Sequence, residues 1–161
     1  MTILSDRDIL SGVESGRIGI YGYSEKSLTP NGYDLRVAEI SIDGEIHRGD
    51  TVKVPAHTMF FVSTIERVRM PDDVCGTLWM RTTWIRKGVL AAFGMVDAGF
   101  EGTLTLGSYN SSGHEVEIPI GERYCQIVFQ DMSSLSEKSY AKRSGHYQGQ
   151  TGVTLDPLKK R

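Results

Sequence analysis

The chain has 161 residues, of which 39% are apolar and 24% charged, which is typical of a soluble globular protein with a core of its own. Eighteen basic and twenty acidic residues leave a formal net charge of -2, which argues against non-specific DNA or RNA binding. No apolar run approaches the roughly 18 residues of a membrane span, and residues 1–6 are too quickly charged for a signal peptide. We therefore expect one cytoplasmic domain over residues 1–161, without a membrane or nucleic-acid partner.

The first predicted element is a short N-terminal helix. Ser5 and Asp8 have the spacing of an N-cap and its acidic partner. An apolar helical face follows and ends near Gly16.

Beyond Tyr33 the hydrophobic period changes to two, and turn signals recur at close intervals. These signals lie at 43–44, 48–50 and 111–113, and they separate strand-like segments such as 58–64 and 123–129. A second short helix is predicted at 83–87. Many short strands at this spacing favour a mainly β protein, either a barrel or a sandwich.

The two cysteines, Cys75 and Cys125, lie in separate strand-like segments and form no metal-binding or redox motif. We interpret both as core thiols. The four histidines are scattered without the spacing of metal ligands, so no transition-metal site is predicted.

A basic cluster follows the strand that ends near Met80. Guanidinium groups bind phosphate oxygens through two parallel hydrogen bonds, and hydroxyls add further donors. The cluster therefore predicts a polyphosphate site, although a surface arginine pair on a turn would have the same sequence. Its members are Arg81, Thr82, Thr83 and Arg86.

Asp97 lies eleven positions beyond Arg86 and is the candidate general base that activates water. The alternative is a structural β-turn aspartate, because Asp before small residues and Gly is common in turns. Gly107 lies in the next strand-like segment and has no side chain with which to move a proton.

Two further polar positions have weaker signals. Asp34 is a candidate for contact with the hydration shell of Mg²⁺, or else for a buried ion pair. Gln126 is a candidate phosphate donor, or else a polar residue alternating out of a strand. The segment 133–161 is glycine-rich and polar in part, so it is either a frayed terminus or a tail that orders over a ligand.

In order along the chain, these segments resemble the dUTPase and dCTP-deaminase superfamily. The matching segments are 3–9, Asn31–Arg36, Arg81–Arg86, Val96–Gly102, Gly121–Gln126 and Tyr147–Gln150. The opening segment resembles the dCTP-deaminase branch more than the ordinary trimeric dUTPases.

The resemblance implies a distorted jelly-roll-like β fold of the β-clip type, a homotrimer with active sites between subunits, and a deoxynucleoside triphosphate bound with Mg²⁺. It implies that Gln126, Tyr140, Tyr147 and Gln150 join the arginine cluster in binding the triphosphate. Asp97 would lie beside the sugar and the attacking water. The ribose and base would be enclosed by a hairpin comprising Phe93, Gly94, Val96, Thr105, Leu106 and Gly107.

One position departs from the family. Deaminases that this chain resembles carry a glutamate proton shuttle at the place of Gly107, and deamination requires proton delivery to the ring. We therefore predict an archaeal-type dUTP diphosphatase that converts dUTP into dUMP and pyrophosphate, with Asp97 as the general base. The alternatives are a dCTP deaminase, a bifunctional deaminase and diphosphatase, and a catalytically silent nucleotide-binding module. The bulk of Trp84 has no explanation in the sequence.

Overall fold

The computed structural model describes residues 2–158, so the last three positions of the predicted tail lie outside the described residues. The described residues form three short α-helices: α1 Asp6–Glu14, α2 Thr82–Arg86 and α3 Tyr140–Arg143. The first seven strands are β1 Gly19–Tyr21, β2 Leu28–Thr29, β3 Gly32–Ile42, β4 Glu45–His47, β5 Thr51–Val54, β6 Met59–Thr64 and β7 Arg67–Arg69. The others are β8 Val74–Met80, β9 Val89–Ala92, β10 Met95–Val96, β11 Glu101–Gly102, β12 Thr105–Asn110, β13 Val116–Pro119 and β14 Arg123–Asp131.

The helix α1 begins with the predicted capping box. The Ser5 hydroxyl accepts a hydrogen bond from the Asp8 backbone N–H at 3.3 Å, and the Asp8 carboxylate accepts one from the Ser5 N–H at 3.0 Å. Ile9 is fully buried, and Gly16 follows the helix with a φ of 73°. The predicted N-terminal helix is therefore confirmed.

The strands between residues 2 and 158 form one large antiparallel sheet and two small ones. The large sheet has the order β10-β8-β14-β3-β6-β12-β9, with β2 and β4 added to β3. The Tyr124 hydroxyl of β14 donates a buried hydrogen bond of 2.7 Å to Ser108 of β12, although β3 and β6 lie between these strands in the pairing order. The sheet therefore curls over its own core, as the predicted jelly-roll-like fold requires.

The core is filled by large apolar side chains of β3, β6, β12 and β14, such as Leu35, Phe60, Leu106 and Phe129. Glu66 is one of the buried carboxylates. Glu66 accepts hydrogen bonds from the backbone N–H and the Nε of Arg36, at 2.8 and 2.6 Å, and so ties β3 to the turn before β7.

The second predicted helix is confirmed as α2, although it begins and ends one residue earlier than expected. Trp84 in α2 is 2% exposed and donates from its indole Nε1 to the Arg123 carbonyl at 2.9 Å. Its ring packs against Tyr124, with the ring centroids 5.6 Å apart. Trp84 therefore anchors α2 to β14, which explains the bulk at this position.

No helix among residues 2–158 is both long enough and apolar enough to cross a membrane.

Candidate active site

A cavity of about 450 Å³ opens between the curled sheet and the C-terminal segment, and we call it the hairpin pocket. Its walls come from β6, from the β9–β10 segment, from β12 and from the segment 140–155. The predicted site residues that line it are Gly94, Val96, Asp97, Thr105, Gly107, Tyr140, Tyr147 and Gln150. The structure thus brings together the predicted base, most of the predicted hairpin and part of the predicted tail.

Gly107 lies in the middle of β12, opposite Phe61 of β6 and Ala92 of β9. A Cβ atom added there would lie 3.3 Å from both the Ala92 carbonyl oxygen and the Cε of Met59. The tip of Met59 therefore fills part of the space that a side chain at position 107 would use.

Two predicted hairpin residues lie outside the hairpin pocket. Leu106 is 1% exposed and points into the core, because side chains alternate along β12. Phe93 is partly buried and packs against the core cluster.

Asp97 is exposed and follows β10 directly. Its carbonyl accepts a hydrogen bond of 3.1 Å from the Phe100 N–H, and Gly99 within the loop has a φ of 80°. Asp97 therefore lies in a β-turn, which was the alternative interpretation of the sequence. The Asp97 side chain also lines the hairpin pocket and an adjoining cavity of about 300 Å³, so the turn places a carboxylate where the two cavities meet.

Tyr140 lies next to Asp97 and lines both cavities. Its hydroxyl accepts a hydrogen bond of 3.3 Å from the Tyr147 backbone N–H, and its ring packs edge-on against Phe100. Burial raises the pKa of Tyr140, and the charge of Asp97 raises it further, while the bond from Tyr147 partly offsets both. Tyr140 therefore stays neutral and can donate a proton to a hydrogen bond.

The tail packs against the loop before β12 and against the start of that strand. The Gln150 side-chain amide donates to the Thr103 carbonyl at 2.7 Å, and the Gln150 carbonyl accepts from the Thr103 N–H at 3.0 Å. Farther on, the Thr154 N–H donates to the Thr105 hydroxyl at 2.9 Å. Closure over a nucleotide remains a prediction, but the segment already forms one wall of the hairpin pocket.

Arg81 lies in a different part of the molecule, at the end of β8. Its Nε pairs with the Asp34 carboxylate at 2.9 Å, and Arg123 approaches the same oxygen at 3.5 Å. Asp34 is largely buried; burial raises its pKa, and the two arginines partly offset that effect.

The pairing of Asp34 with two cations gives no support to its predicted role in magnesium binding. No group of three or more His, Cys, Asp or Glu side chains within residues 2–158 is arranged to hold a metal ion.

The other predicted phosphate ligands accompany Arg81. Thr82, Thr83 and Arg86 are exposed on α2, and Gln126 donates to the Thr29 hydroxyl at 2.6 Å. None of them lines the hairpin pocket within the described part of the chain.

The two groups of predicted site residues lie at different places along β8. Val96, which precedes Asp97, pairs with Gly76 of β8. Arg81 follows Gly76 by five residues in the chain. At about 3.3 Å per strand residue, Gly76 and Arg81 are about 17 Å apart along the chain. In one copy of the chain, the arginine cluster therefore does not line the hairpin pocket.

The sequence did not predict several of the residues that line the hairpin pocket. Met59, Thr154 and Leu155 belong to its walls. Alternation in the predicted strand 58–64 would have indicated which face Met59 occupies. Thr154 and Leu155 reach the pocket because of the path that the tail takes, and no pattern in the sequence predicts that path.

The profile of a dCTP deaminase-like domain matches residues 3–132 of this sequence. The chain belongs to the dCTP deaminase-like family. A dCTP deaminase of Pyrococcus horikoshii is 40% identical over 142 residues, which cover 86% of this chain and 89% of the relative. A protein of Sulfolobus islandicus rod-shaped virus 1, named probable deoxyuridine 5'-triphosphate nucleotidohydrolase, is 35% identical over 157 residues, covering 95% and 97%.

Solved structures of the superfamily share the fold. The dCTP deaminase of Agrobacterium tumefaciens has a TM-score of 0.69 at 16% identity, over 80% of this chain and 47% of that one, so the chain spans about half of its length. A mutant dUTPase of the Staphylococcus aureus phage phi11, described with a structural Mg(II) ion, has a TM-score of 0.55 at 19% identity, over 79% and 98%. The resemblance found in the motifs and the jelly-roll-like fold are thereby confirmed.

The relatives overturn the prediction of a dUTP diphosphatase. The Pyrococcus relative carries the name dCTP deaminase, which was the alternative. The prediction was wrong because it rested on one missing side chain. Gly107 is one position in a pocket that Asp97, Thr105 and Tyr140 also line, so its lack of a side chain does not remove every proton carrier.

Proposed function

We propose that this chain deaminates dCTP to dUTP, with release of ammonia. The observation that carries the proposal is the hairpin pocket, which has the size of a small-molecule site and mainly apolar walls around a few polar groups. The family and the name of the Pyrococcus relative support the same reaction.

The reaction requires two proton transfers. Water adds its oxygen to C4 of the cytosine ring, and one of its protons goes to N3. The second proton goes to the amino group, and the C4–N bond then breaks to release ammonia and leave the C4 carbonyl of uracil. A side chain that accepts and returns protons accelerates such steps by ~10²–10⁴-fold.

Asp97 is the proposed proton carrier. Among the described residues, it is the carboxylate that lines the hairpin pocket, and Gly107 supplies no group. Tyr140 stays neutral beside it and would orient the substrate as a hydrogen-bond donor. The nucleoside would lie against the β12 segment from Thr105 to Gly107.

The phosphate ligands require a second copy of the chain. Because no member of the arginine cluster lines the hairpin pocket of the same copy, we propose that a homotrimer joins the two across its subunit interfaces. Arg81, Thr82, Thr83 and Arg86 of one copy would then meet the triphosphate held by another. Mg²⁺ would bind mainly through phosphate oxygens, as it does in many phosphate sites.

A second candidate is a bifunctional enzyme that also hydrolyses the bond between the α- and β-phosphates. The viral relative, which is named probable deoxyuridine 5'-triphosphate nucleotidohydrolase, favours this addition. An exposed carboxylate such as Asp97 also suits activation of a water molecule near the α-phosphorus.

The test is one assay with dCTP, dUTP and dTTP in which ammonia and pyrophosphate are followed together, with and without Mg²⁺. Ammonia from dCTP is the expected result, and pyrophosphate as well would indicate the bifunctional enzyme. Absence of ammonia from dCTP would overturn the proposal.

The Asp97→Asn variant should lose turnover and keep nucleotide binding. The matched control is Glu117→Gln, an exposed carboxylate of β13 outside the site. A near-normal rate for Asp97→Asn would show that the proton carrier is another group.

A further inference from the structure

One buried carboxylate outside the hairpin pocket contacts the C-terminal tail. Glu39 on β3 is 8% exposed and lies at a register shift between Val37 and Glu39 in the pairing with β6. Such a shift changes the direction of a side chain relative to the regular pleat.

Both oxygens of Glu39 accept hydrogen bonds. Oε1 accepts one of 2.8 Å from the backbone N–H of Val153, and Oε2 accepts one of 2.7 Å from Nε of Arg48. The two bonds link the tail to β3 and to the loop after β4. Hydrogen bonds that involve an ionised group are roughly twice as strong as neutral ones.

The backbone of the tail passes unusually close to this carboxylate. Gly152 has a φ of +64°, and a Cβ added to it would lie 2.7 Å from Oε1 of Glu39. An L side chain at this position would be strained by the backbone angle and would collide with the carboxylate. Gly152 thus permits the bond between Glu39 and Val153.

Val153 directly precedes two residues of the hairpin pocket, Thr154 and Leu155. The Thr154 N–H is bonded to the hydroxyl of Thr105, which lines the same pocket. A change at Glu39 therefore acts on the wall formed by the tail, although Glu39 itself does not line the pocket.

We propose that Glu39, held by Arg48, is a positioning residue that fixes the tail as a wall of the nucleotide pocket. The identity of the nucleotide rests on the proposed function, whereas the anchoring of the tail does not. Without the carboxylate, the Val153 N–H loses its acceptor, and the tail can leave β12 at lower cost.

The test compares Glu39→Ala, Glu39→Gln and the matched control Glu117→Gln, whose carboxylate is exposed and pairs with Lys53 at 3.4 Å. We expect Glu39→Ala to raise KM for dCTP about tenfold and to change kcat less than about threefold. The KM of Glu39→Gln should lie between those of Glu39→Ala and the parent. The amide oxygen can still accept a hydrogen bond from the Val153 N–H, but Arg48 loses its charged partner. The control should match the parent.

Amide hydrogen exchange gives a readout that needs no ligand. In Glu39→Ala the Val153 and Thr154 amides should exchange at least tenfold faster, while the core amide of Val62 should keep its protection. Unchanged exchange at Val153 would overturn the anchoring. Faster exchange with an unchanged KM would overturn the role in positioning the pocket wall.

A double substitution tests the close approach. Gly152→Ala should raise KM in the parent, and its effect should be smaller in the Glu39→Ala background, where the collision with Oε1 is removed. Equal effects in both backgrounds would contradict the geometry.

Binding of dCTP in the Asp97→Asn background separates the two proposals. If the parent chain releases no ammonia from dCTP, the deaminase is refuted, and weaker dCTP binding after Glu39→Ala would still retain the positioning role.

Discussion

Trp84 should be the side chain that holds α2, and with it the predicted phosphate ligands, against the sheet. Its ring is 2% exposed, its Nε1 donates to the Arg123 carbonyl at 2.9 Å, and Nζ of Lys87 lies 4.7 Å from its ring centroid. Truncation to alanine removes all of these contacts and leaves a cavity between α2 and Tyr124. Such a change costs about 3–5 kcal/mol in a well-packed core.

A Trp84→Phe variant separates packing from hydrogen bonding. The Arg123 carbonyl also accepts from Nη1 of Arg81 at 3.2 Å, so it keeps one donor after the indole is lost. We therefore expect Trp84→Phe to cost only about 1–2 kcal/mol. For a domain of this size each kcal/mol lowers Tm by about 2–4 °C, so Trp84→Ala should lower Tm by about 10 °C.

The assay is thermal unfolding at one fixed protein concentration, because self-association would make Tm depend on concentration. It is followed by nucleotide titration at a temperature where both variants remain folded. Trp84→Ala should weaken nucleotide binding more than Trp84→Phe does. If Trp84→Ala lowered the free energy of unfolding by less than about 1 kcal/mol, the proposed anchoring of α2 by Trp84 would be refuted.

Three further outcomes are expected. Gly107→Glu should fold after a small displacement of the Met59 tip and should raise ammonia release from dCTP severalfold, since it adds a second carboxylate to the pocket that Asp97 lines; an unchanged rate in a folded variant would contradict this. Hydrogen bonds from Ser5 hold the pKa of Asp8 below its ordinary 3.8, so its stabilisation is complete above that value and is lost as the pH falls through the lowered pKa. Tm of Asp8→Asn should therefore fall less steeply than that of the parent below about pH 4. At about pH 8 an alkylating reagent should leave the fully buried Cys125 unmodified, since burial raises the pKa of its thiol, and peptide mass spectrometry would show any labelling.

Much of the fold was predictable because it depends on local signals. Examples are the capping box of Ser5 and Asp8 and the turn at Asp43 and Gly44, whose φ angles are 50° and 85°. Each of these features is determined by a few adjacent residues. The motifs also placed Asp97 and Gly107 in one pocket. The resemblance implied a site shared between subunits, and within one chain Arg81 does not line this pocket.

Other features depend on contacts distant in sequence. Trp84 contacts a strand some forty residues later, and nothing next to it in the chain indicates that partner. Glu39 meets Val153 across 114 positions, and a glutamate in a strand predicts no such contact. The function was mispredicted for a related reason. The prediction depended on position 107 alone, although several other side chains line the same pocket.

The ion pair between Asp34 and Arg81 has an electrostatic consequence. With its Nε held by a carboxylate at 2.9 Å and Arg123 near the same oxygen, the end of β8 projects less positive potential than its arginines suggest. Long-range attraction of a polyanion therefore depends mainly on the exposed residues Arg86, at the end of α2, and Lys87, directly after it. With a screening length of about 8 Å at physiological ionic strength, two such cations accelerate diffusional encounter only modestly. The association rate of a nucleotide should therefore vary weakly with added salt.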